Sequence, residues 1–293
     1  MSCKVFDFLV LDDKINFFDI GAAAIAEEPI YKSLINIGAG SLYAFDGDER
    51  QKDPIFKSFG KDIFFLNDLL FDGSDQILYI ASAPSGMTSL LKPNKNALEF
   101  FNNFSTIGKV EKTEKVSTKR LDDLKEIPLI DFLKMDVQGS ELTILENGSQ
   151  KLKDCIGIQL EISFIPLYEN QPSFGDIDRW MRLNGFVPHR FIDIKKWAIS
   201  PTIFNGNPNI PGNQLLEGDI IYVKDPLNLS KVSNRQLKIL ATLSHYCFKS
   251  ADLCVFYLIE LIRRKIIDEN SIDEYYKFIN LKLLESKKRT KSK

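Results

Sequence analysis

The sequence is poor in the features that mark disulfide-rich, metal-binding and membrane-spanning proteins. Its four cysteines, Cys3, Cys155, Cys247 and Cys254, show no CxxC spacing, and only two histidines are present. This pattern predicts reduced thiols and argues against a zinc site. The longest apolar stretch, 253–262, contains a glutamate and is far shorter than the ~20 residues that a membrane-spanning helix needs.

Neither sign of charge dominates the sequence. The 38 basic and 40 acidic residues give a net charge of −2, which offers no electrostatic basis for binding nucleic acid or an anionic membrane. The first residues lack the basic flank, apolar core and cleavage site of a secretion signal. We therefore expect a cytoplasmic protein without a membrane span. The basic tail, 287–293, is interpreted as a solvated end rather than as a nucleic-acid-binding arm.

What the sequence does contain is a strand–turn–helix pattern with an acid where the strand ends. In the stretch 130–148, an apolar run ends at Asp136, and a helix is predicted to start at Ser140, with Glu141 in its first turn and Gly148 at its end. In open parallel sheets, ligands bind beyond the carboxyl ends of the strands. Asp136 is therefore the first candidate site residue, and a structural aspartate that caps the turn is the alternative.

A second stretch has the same form. An apolar strand over 17–22 ends in small residues, a helix is predicted over about 29–37, and a strand over 41–45 ends in Asp46. Strand, crossover, strand and acid form the skeleton of a nucleotide-binding site, in which the second acid binds ribose hydroxyls.

The rest of the chain alternates predicted strands and helices up to about residue 228. The segment 200–213 is rich in proline, glycine and asparagine, which predicts a loop that serves as a lid or as a connector. We predict one domain over 1–228 and a C-terminal helical extension over 229–293. The aromatic face of the last helix is interpreted as core or as the surface of a homodimer. Further strands are predicted over 63–66, 76–81, 115–119, 156–164, 186–192 and 219–223, and helices over 97–104, 173–184, 233–247, 251–267 and 271–284. Capping boxes are predicted at two of these helix starts, Ser173 with Asp176 and Ser271 with Glu274.

The predicted strand 156–164 carries polar residues on one face. Gln159, Glu161 and Ser163 alternate with apolar residues, whereas strands of a doubly wound parallel sheet are normally apolar on both faces. This polar column indicates the wall of a pocket with Glu161 at its centre. An edge strand with one face in water is the alternative.

Several segments together resemble a known family. VSTKRLDDL and IDFLKMDVQGSELTILENG, followed by IQLEISFIPLYENQPSFGDIDRWMRLNGF, resemble the FkbM-type family of S-adenosylmethionine-dependent methyltransferases, and FFDIGA and LYAFDGDER match its first two strands. The resemblance covers roughly residues 17–223. It implies an α/β, Rossmann-like class I methyltransferase fold, with a seven-stranded, mostly parallel sheet in the order 3-2-1-4-5-7-6 whose last strand is antiparallel.

The resemblance also implies a cofactor, S-adenosyl-L-methionine, and roles for the residues that would bind it. Asp19, Gly21 and Ala22 would line the turn under the methionine part of the cofactor. Asp46 would hold the ribose hydroxyls, and Asp68 would reach the adenine.

On the acceptor side, Asp136 is the candidate base, with Glu161 as its partner or as a substrate anchor. A hydroxyl acceptor needs such a base, or a metal that lowers its pKa, and the two carboxylates could instead hold a Mg²⁺ ion. The resemblance implies substrate contacts for Tyr168 and Gln171. His189 is a reserve base on the substrate side, with a purely structural histidine as the alternative.

The predicted function is methyl transfer, with O-methylation of a sugar, a glycan or another small hydroxylated acceptor as the favoured reaction. The chain departs from the family pattern at 23–26, where a further glycine is expected, and at Gln138, where glutamate is common.

Two alternatives to methyl transfer stay open. A nicotinamide-dependent enzyme is disfavoured because GxGxxG is absent after Ile20. A non-catalytic protein that binds a partner through the helical extension is favoured by the glycine-poor loop.

Overall fold

The computed structural model describes residues 3–22, 28–60, 62–82 and 85–279. The chain divides into two compact units. One unit comprises residues 1–15, 27–41 and 228–293, and the other comprises 16–26 and 42–227. The domain boundary predicted at residue 228 stays a prediction.

The described residues form strands and helices that alternate along most of the chain. The strands are β1 (Cys3–Phe6), β2 (Leu9–Leu11), β3 (Ile15–Ile20), β4 (Gly40–Phe45), β5 (Ile63–Leu66), β6 (Asp75–Ala81), β7 (Val110–Ser117), β8 (Phe132–Met135), β9 (Gly157–Ser163), β10 (Phe186–Trp197) and β11 (Gln214–Lys224). The α-helices are α1 (Lys32–Asn36), α2 (Lys52–Phe59), α3 (Lys95–Phe100), α4 (Phe104–Ile107), α5 (Glu141–Glu146), α6 (Phe174–Leu183), α7 (Asn234–Tyr246), α8 (Ala251–Arg263) and α9 (Ser271–Phe278).

Seven strands form one sheet, in the spatial order β10-β11-β9-β8-β3-β4-β5. Strand β8 pairs in parallel with both β3 and β9, and β4 pairs in parallel with β5. Strand β11 is antiparallel to both β9 and β10. Numbered along the chain, the seven strands follow the order 3-2-1-4-5-7-6, with the last strand antiparallel, which confirms the predicted Rossmann-like fold. Two further sheets, β1-β2 and β6-β7, have two antiparallel strands each and are separate from it.

The two faces of the central strands differ in polarity. One face carries Phe18, Leu133 and Leu160, which pack in one apolar core with Ile144 of α5 and Ile177 of α6. The other face becomes polar toward the carboxyl ends of the strands. Strand β9 lies between β8 and β11, so the alternative of an edge strand with one wet face is wrong. The polar column of β9 faces the interior of the fold.

Several helix starts follow local sequence signals, and others do not. Ser173 and Asp176 form the predicted capping box of α6. Helix α9 begins after Asn270, without a side-chain cap, so the capping box predicted at Ser271 is wrong. Ser140 precedes α5 as predicted but makes no capping hydrogen bond.

The described residues bear on the expected absence of a membrane span and on the state of the thiols. Within the described ranges, no helix combines the length and apolarity needed to cross a membrane. Cys155, Cys247 and Cys254 are buried free thiols, in agreement with the predicted reduced state. The loop 23–26 and the basic tail 287–293 lie outside the described residues.

Candidate functional site

The loops that follow β3 and β8 approach each other so closely that one position accepts only glycine. Gly21 has a φ of +78°, and a Cβ atom there would lie 2.0 Å from the carbonyl oxygen of Asp136. The N–H groups of Gly21 and Ala22 both donate to the carbonyl of Phe45, at 2.9 and 3.1 Å. The N–H of Asp136 donates to the carbonyl of Ile20, at 3.1 Å. The carboxyl ends of β3, β4 and β8 are therefore tied together at this point.

A row of polar residues crosses the sheet just below these loops. Asp19 on β3, Lys134 on β8 and Gln159 on β9 occupy paired positions. The Lys134 Nζ lies 3.2 Å from the Asp19 Oδ1, and both side chains are largely buried. Burial lowers the pKa of Lys134, but the carboxylates of Asp19, Asp136 and Asp219 outweigh that effect and raise the pKa above its usual value. Lys134 is therefore positively charged at neutral pH, and this charge lies beneath the site.

The two candidate catalytic carboxylates are joined by one amide. The Gln138 Nε2 donates to the Asp136 Oδ1 and to the Glu161 Oε2, each at 2.8 Å. The Gln138 Oε1 accepts a hydrogen bond from the Tyr168 hydroxyl at 2.9 Å. The structure thus brings together Asp136, Glu161 and Tyr168, which lie far apart in the sequence, through a residue that had no predicted role.

The loop after β9 closes over this cluster. The Gln171 Oε1 accepts from the N–H groups of Leu167 and Tyr168, at 2.7 and 3.2 Å, and its Nε2 donates to the Ser163 Oγ at 2.9 Å. Tyr168 is 1% exposed. In the structure Gln171 therefore shapes the loop that positions Tyr168, and its predicted contact with substrate stays a prediction.

Glu161 lies among charged groups of both signs. Burial raises the pKa of Glu161 well above its usual value, and the nearby carboxylates of Asp136 and Glu217 raise it further, whereas Lys195 lowers it. The Lys195 Nζ lies 3.7 Å from the Glu161 Oε1 and 2.8 Å from the Glu217 Oε1. A raised pKa suits a carboxylate that exchanges protons near neutral pH.

Glu141 is a second buried acid in the same turn. Its Oε1 accepts hydrogen bonds from the N–H groups of Val137 and Gly139, at 3.1 and 3.3 Å. Burial raises the pKa of Glu141 to about 7, although these hydrogen bonds oppose the shift. The sequence indicated only an acid near a helix N-terminus, but the side chain turns back and holds the backbone of the loop.

The predicted adenine acid, Asp68, lines a cavity of about 330 Å³, and the predicted ribose acid, Asp46, precedes Gly47 in the wall of that cavity. Asp46 follows β4, and its Oδ1 accepts from the N–H of Asp48 at 2.7 Å. Burial raises the pKa of Asp46, and the carboxylates of Asp48 and Asp19 add to that rise. Asp68 lines the cavity together with Gly47 and Lys119, and its Oδ1 lies 2.7 Å from the Lys119 Nζ.

His189 lies apart from this cluster. It belongs to β10, at the irregularity between Pro188 and Arg190. The pairing of β10 with β11 and of β11 with β9 aligns this position with the start of β9, two strands, or roughly 10 Å, away. The structure does not bring His189 to Glu161, and its predicted role as a substrate-side residue stays a prediction.

The described residues contain no group of three or more His, Cys, Asp or Glu side chains that could hold a metal ion. Asp136 and Glu161 each already accept a hydrogen bond from Gln138. The alternative that Asp136 and Glu161 hold a Mg²⁺ ion therefore gains no support from these residues.

Sequence reasoning missed four residues that complete the cluster. Gln138 was noted only as a departure from the family pattern, and Lys195, Glu217 and Asp219 were not singled out. One signal was available for the last two: Glu217 and Asp219 are two positions apart in the mostly apolar segment 214–224, so in a strand they lie on the same face. Asp219 pairs with Glu161 across β11 and β9, and Glu217 pairs with Ser163.

One comparison with known proteins identifies a family for this chain. The family model described as Methyltransferase FkbM domain matches residues 19–188. No curated protein matches the chain. The fold assignment therefore rests on the strand order and on the family match.

Similar solved structures have low identity and low TM-scores. They include magnesium protoporphyrin IX methyltransferase from Synechocystis PCC 6803 with bound SAM (12% identity, 73% of this chain and 71% of that chain, TM-score 0.36). They also include the O-methyltransferase from a trans-AT PKS multienzyme of Brevibacillus brevis in complex with S-adenosyl-L-homocysteine (10% identity, 86% and 78%, TM-score 0.37). A third is a protein of the NADB-Rossmann superfamily from Streptococcus agalactiae (13% identity, 92% and 87%, TM-score 0.35).

Proposed function

Because this chain belongs to the FkbM methyltransferase family, and so to the S-adenosylmethionine-dependent methyltransferases, we propose that it O-methylates a neutral, hydroxylated small molecule or glycan. The observation that carries the proposal is the pair of carboxylates, Asp136 and Glu161, held together at the carboxyl edge of the sheet. This edge is where ligands bind in open α/β sheets.

The loops at this edge fit the cofactor. Gly21 lets the loops after β3 and β8 approach each other closely, and both loops follow the carboxyl ends of strands, where nucleotide cofactors bind in this type of fold. Asp46 would accept hydrogen bonds from the ribose hydroxyls, Asp68 would contact the adenine at the cavity that it lines, and Asp19 would lie under the methionine part. When bound, S-adenosylmethionine supplies an activated methyl group.

The carboxylates supply the acid–base chemistry that a hydroxyl acceptor needs. Asp136 would take the hydroxyl proton as the oxygen–methyl bond forms, and Glu161 would anchor a second hydroxyl or receive the proton from Asp136. Holding nucleophile and methyl group in line can contribute ~7–11 kcal/mol to catalysis. Tyr168 and Gln171 would shape the acceptor side of the site.

The charges around the site favour a neutral acceptor. Its two lysines are committed to acids: Lys134 pairs with Asp19, and Lys195 pairs with Glu217. Asp136 and Glu161 would repel a phosphate or carboxylate group on the acceptor at close range. Neutral sugars and polyols carry hydroxyl donors that two carboxylates can accept.

Methyl transfer from radiolabelled S-adenosylmethionine to a panel of acceptors tests the proposal. The panel contains neutral sugars, the same sugars as phosphate esters, and primary amines. We expect product from neutral hydroxyl acceptors, a loss of at least 100-fold in Asp136→Asn, and little change in Asp123→Asn, whose side chain is 65% exposed. Transfer only to amines, or full activity in Asp136→Asn, would contradict O-methylation with Asp136 as base.

A further inference from the structure

The residue that joins the two carboxylates adopts an unusual backbone conformation. Gln138 has a φ of +55°, in the left-handed region, which costs on the order of 1 kcal/mol or more for a residue with a side chain. Its carbonyl accepts a hydrogen bond from the Ser89 Oγ at 2.7 Å. The next residue, Gly139, has a φ of +102°, and a Cβ atom there would lie 3.1 Å from the Tyr168 ring. Two successive left-handed residues turn the Gln138 side chain toward the site.

The hydrogen-bond partners leave the amide of Gln138 only one suitable orientation. Its nitrogen has two protons, and each goes to a different carboxylate, Asp136 and Glu161. Its oxygen accepts from the Tyr168 hydroxyl. A flipped amide would place its oxygen against two carboxylates, which have no proton to donate when ionised. Because both carboxylate oxygens contact the same nitrogen, they lie within two hydrogen-bond lengths of each other.

We propose that Gln138 is a positioning residue, whose neutral amide holds Asp136 and Glu161 as one anionic pair while Tyr168 keeps the amide correctly oriented. The proposal deepens the proposed function and rests on it, because the pair is the base of that reaction. A glutamate at this position would keep the shape of the side chain but would lose both donors and add a third carboxylate.

The groups around Glu161 disfavour its ionised form, so that form needs the hydrogen bond that the Gln138 amide donates. The carboxylates of Asp136 and Glu217 and the burial of Glu161 all favour the protonated form of Glu161. Hydrogen bonds donated to an ionised carboxylate oppose that tendency. The amide is thus a donor that both carboxylates share. The charged and titratable groups that face Glu161 are Asp136 after β8, Glu141 in α5, Lys195 in β10, Glu217 in β11 and Tyr168 in the loop after β9.

Direct titration of Glu161 tests the proposal without knowledge of the acceptor. Protein labelled with glutamate enriched in ¹³C at the δ-carboxyl is titrated by NMR, and the signal of Glu161 is identified by its loss in Glu161→Gln. Gln138→Met keeps the volume and removes the donors, so the titration midpoint of Glu161 should rise by about one pH unit. Gln138→Glu also adds a negative charge and should raise the midpoint further.

Two more variants complete the experiment. Gln150→Glu makes the same charge change at an exposed position after α5 and should leave the midpoint unchanged. Tyr168→Phe keeps the amide but removes the donor that orients it, so the midpoint should rise by less than in Gln138→Met; this variant tests the proposal even if Gln138→Met does not fold. A midpoint that stays at the wild-type value in either Gln138→Met or Tyr168→Phe would overturn the proposal.

Calorimetry with S-adenosylmethionine on the wild-type protein separates this inference from the proposed function. If the cofactor does not bind, the proposed function fails, whatever the titration shows. If the cofactor binds and the midpoints do not move, the role of Gln138 fails and the proposed function stands. If both hold, methyl transfer by Gln138→Glu should require a higher pH than transfer by the wild-type protein.

Discussion

Lys134 and Asp19 face each other at paired positions of two parallel strands, and their buried side chains form an ion pair of 3.2 Å beneath the candidate site. The carboxylates of Asp136 and Asp219 also contribute to the raised pKa of Lys134. The pair therefore links the stability of the sheet to the charge balance of the site.

Removal of Lys134 should destabilise the fold strongly. Lys134→Met removes the cation that forms an ion pair with Asp19, which is 3% exposed, and we expect a loss of ~3–5 kcal/mol in the free energy of unfolding. The matched control is Lys92→Met, because Lys92 and Glu169 form an ion pair with side chains 58% and 46% exposed, and such pairs contribute less than ~1 kcal/mol. Urea denaturation at pH 7 measures both. Equal losses in the two variants would show that the buried pair is not stabilising.

A methyl group at Gly21 should disturb both the fold and the site. Gly21→Ala places a Cβ atom 2.0 Å from the Asp136 carbonyl oxygen, whereas Gly185→Ala has a similar φ of +77° but meets no atom within 4 Å. The control variant Gly185→Ala should therefore lose only the ~1–2 kcal/mol in the free energy of unfolding that backbone strain costs. Gly21→Ala should lose more stability and bind S-adenosylmethionine at least 10-fold more weakly. Equal stability and equal binding in the two alanine variants would contradict the close approach of these loops.

The stability of the fold should depend on pH through Glu141. Its pKa is raised from 4.5 to about 7 by burial, so the folded state holds a proton that the unfolded state releases above about pH 4.5. The resulting stability is fully present below pH 4.5 and is lost as the pH rises through about 7. The loss is on the order of 3 kcal/mol, at about 1.4 kcal/mol per pKa unit.

Glu141→Gln isolates this contribution. The amide oxygen can still accept from Val137 and Gly139, but the side chain no longer titrates. Between pH 5 and pH 8, the wild-type protein should lose more stability in urea denaturation than the variant loses. The other buried carboxylates are present in both proteins, so their contributions to the pH dependence of stability cancel when the two proteins are compared. If the two proteins showed the same pH dependence of stability, the pKa of Glu141 would not be raised, which would contradict this prediction.

The parts of the fold that the sequence predicted are those with local or periodic signals. The alternation in 156–164 predicted a strand with a polar column, and the structure confirms it as β9, with Glu161 in the cluster. The capping box at Ser173 needs only residues three positions apart, which explains its success. The strand order followed from the family resemblance rather than from periodicity.

The parts that could not be predicted depend on contacts between distant residues. Gln138 reaches Glu161 and Tyr168, which are 23 and 30 residues away, and nothing in the turn itself signals those partners. Strand β10 was predicted to end at 192, but pairing with β11 extends it to Trp197. That extension brings Lys195 to Glu161 and Glu217, so the missed cation follows directly from the missed strand end.

S-adenosylmethionine should bind at this edge of the sheet, with its ribose hydroxyls on Asp46. Isothermal titration of the purified protein with S-adenosylmethionine and S-adenosylhomocysteine tests it, together with Asp46→Ala and the control Asp48→Asn, which keeps the acceptor that caps the next turn. We predict micromolar binding to the wild-type protein and to Asp48→Asn, and none to Asp46→Ala. Absence of binding to the wild-type protein, or undiminished binding to Asp46→Ala, would contradict the account.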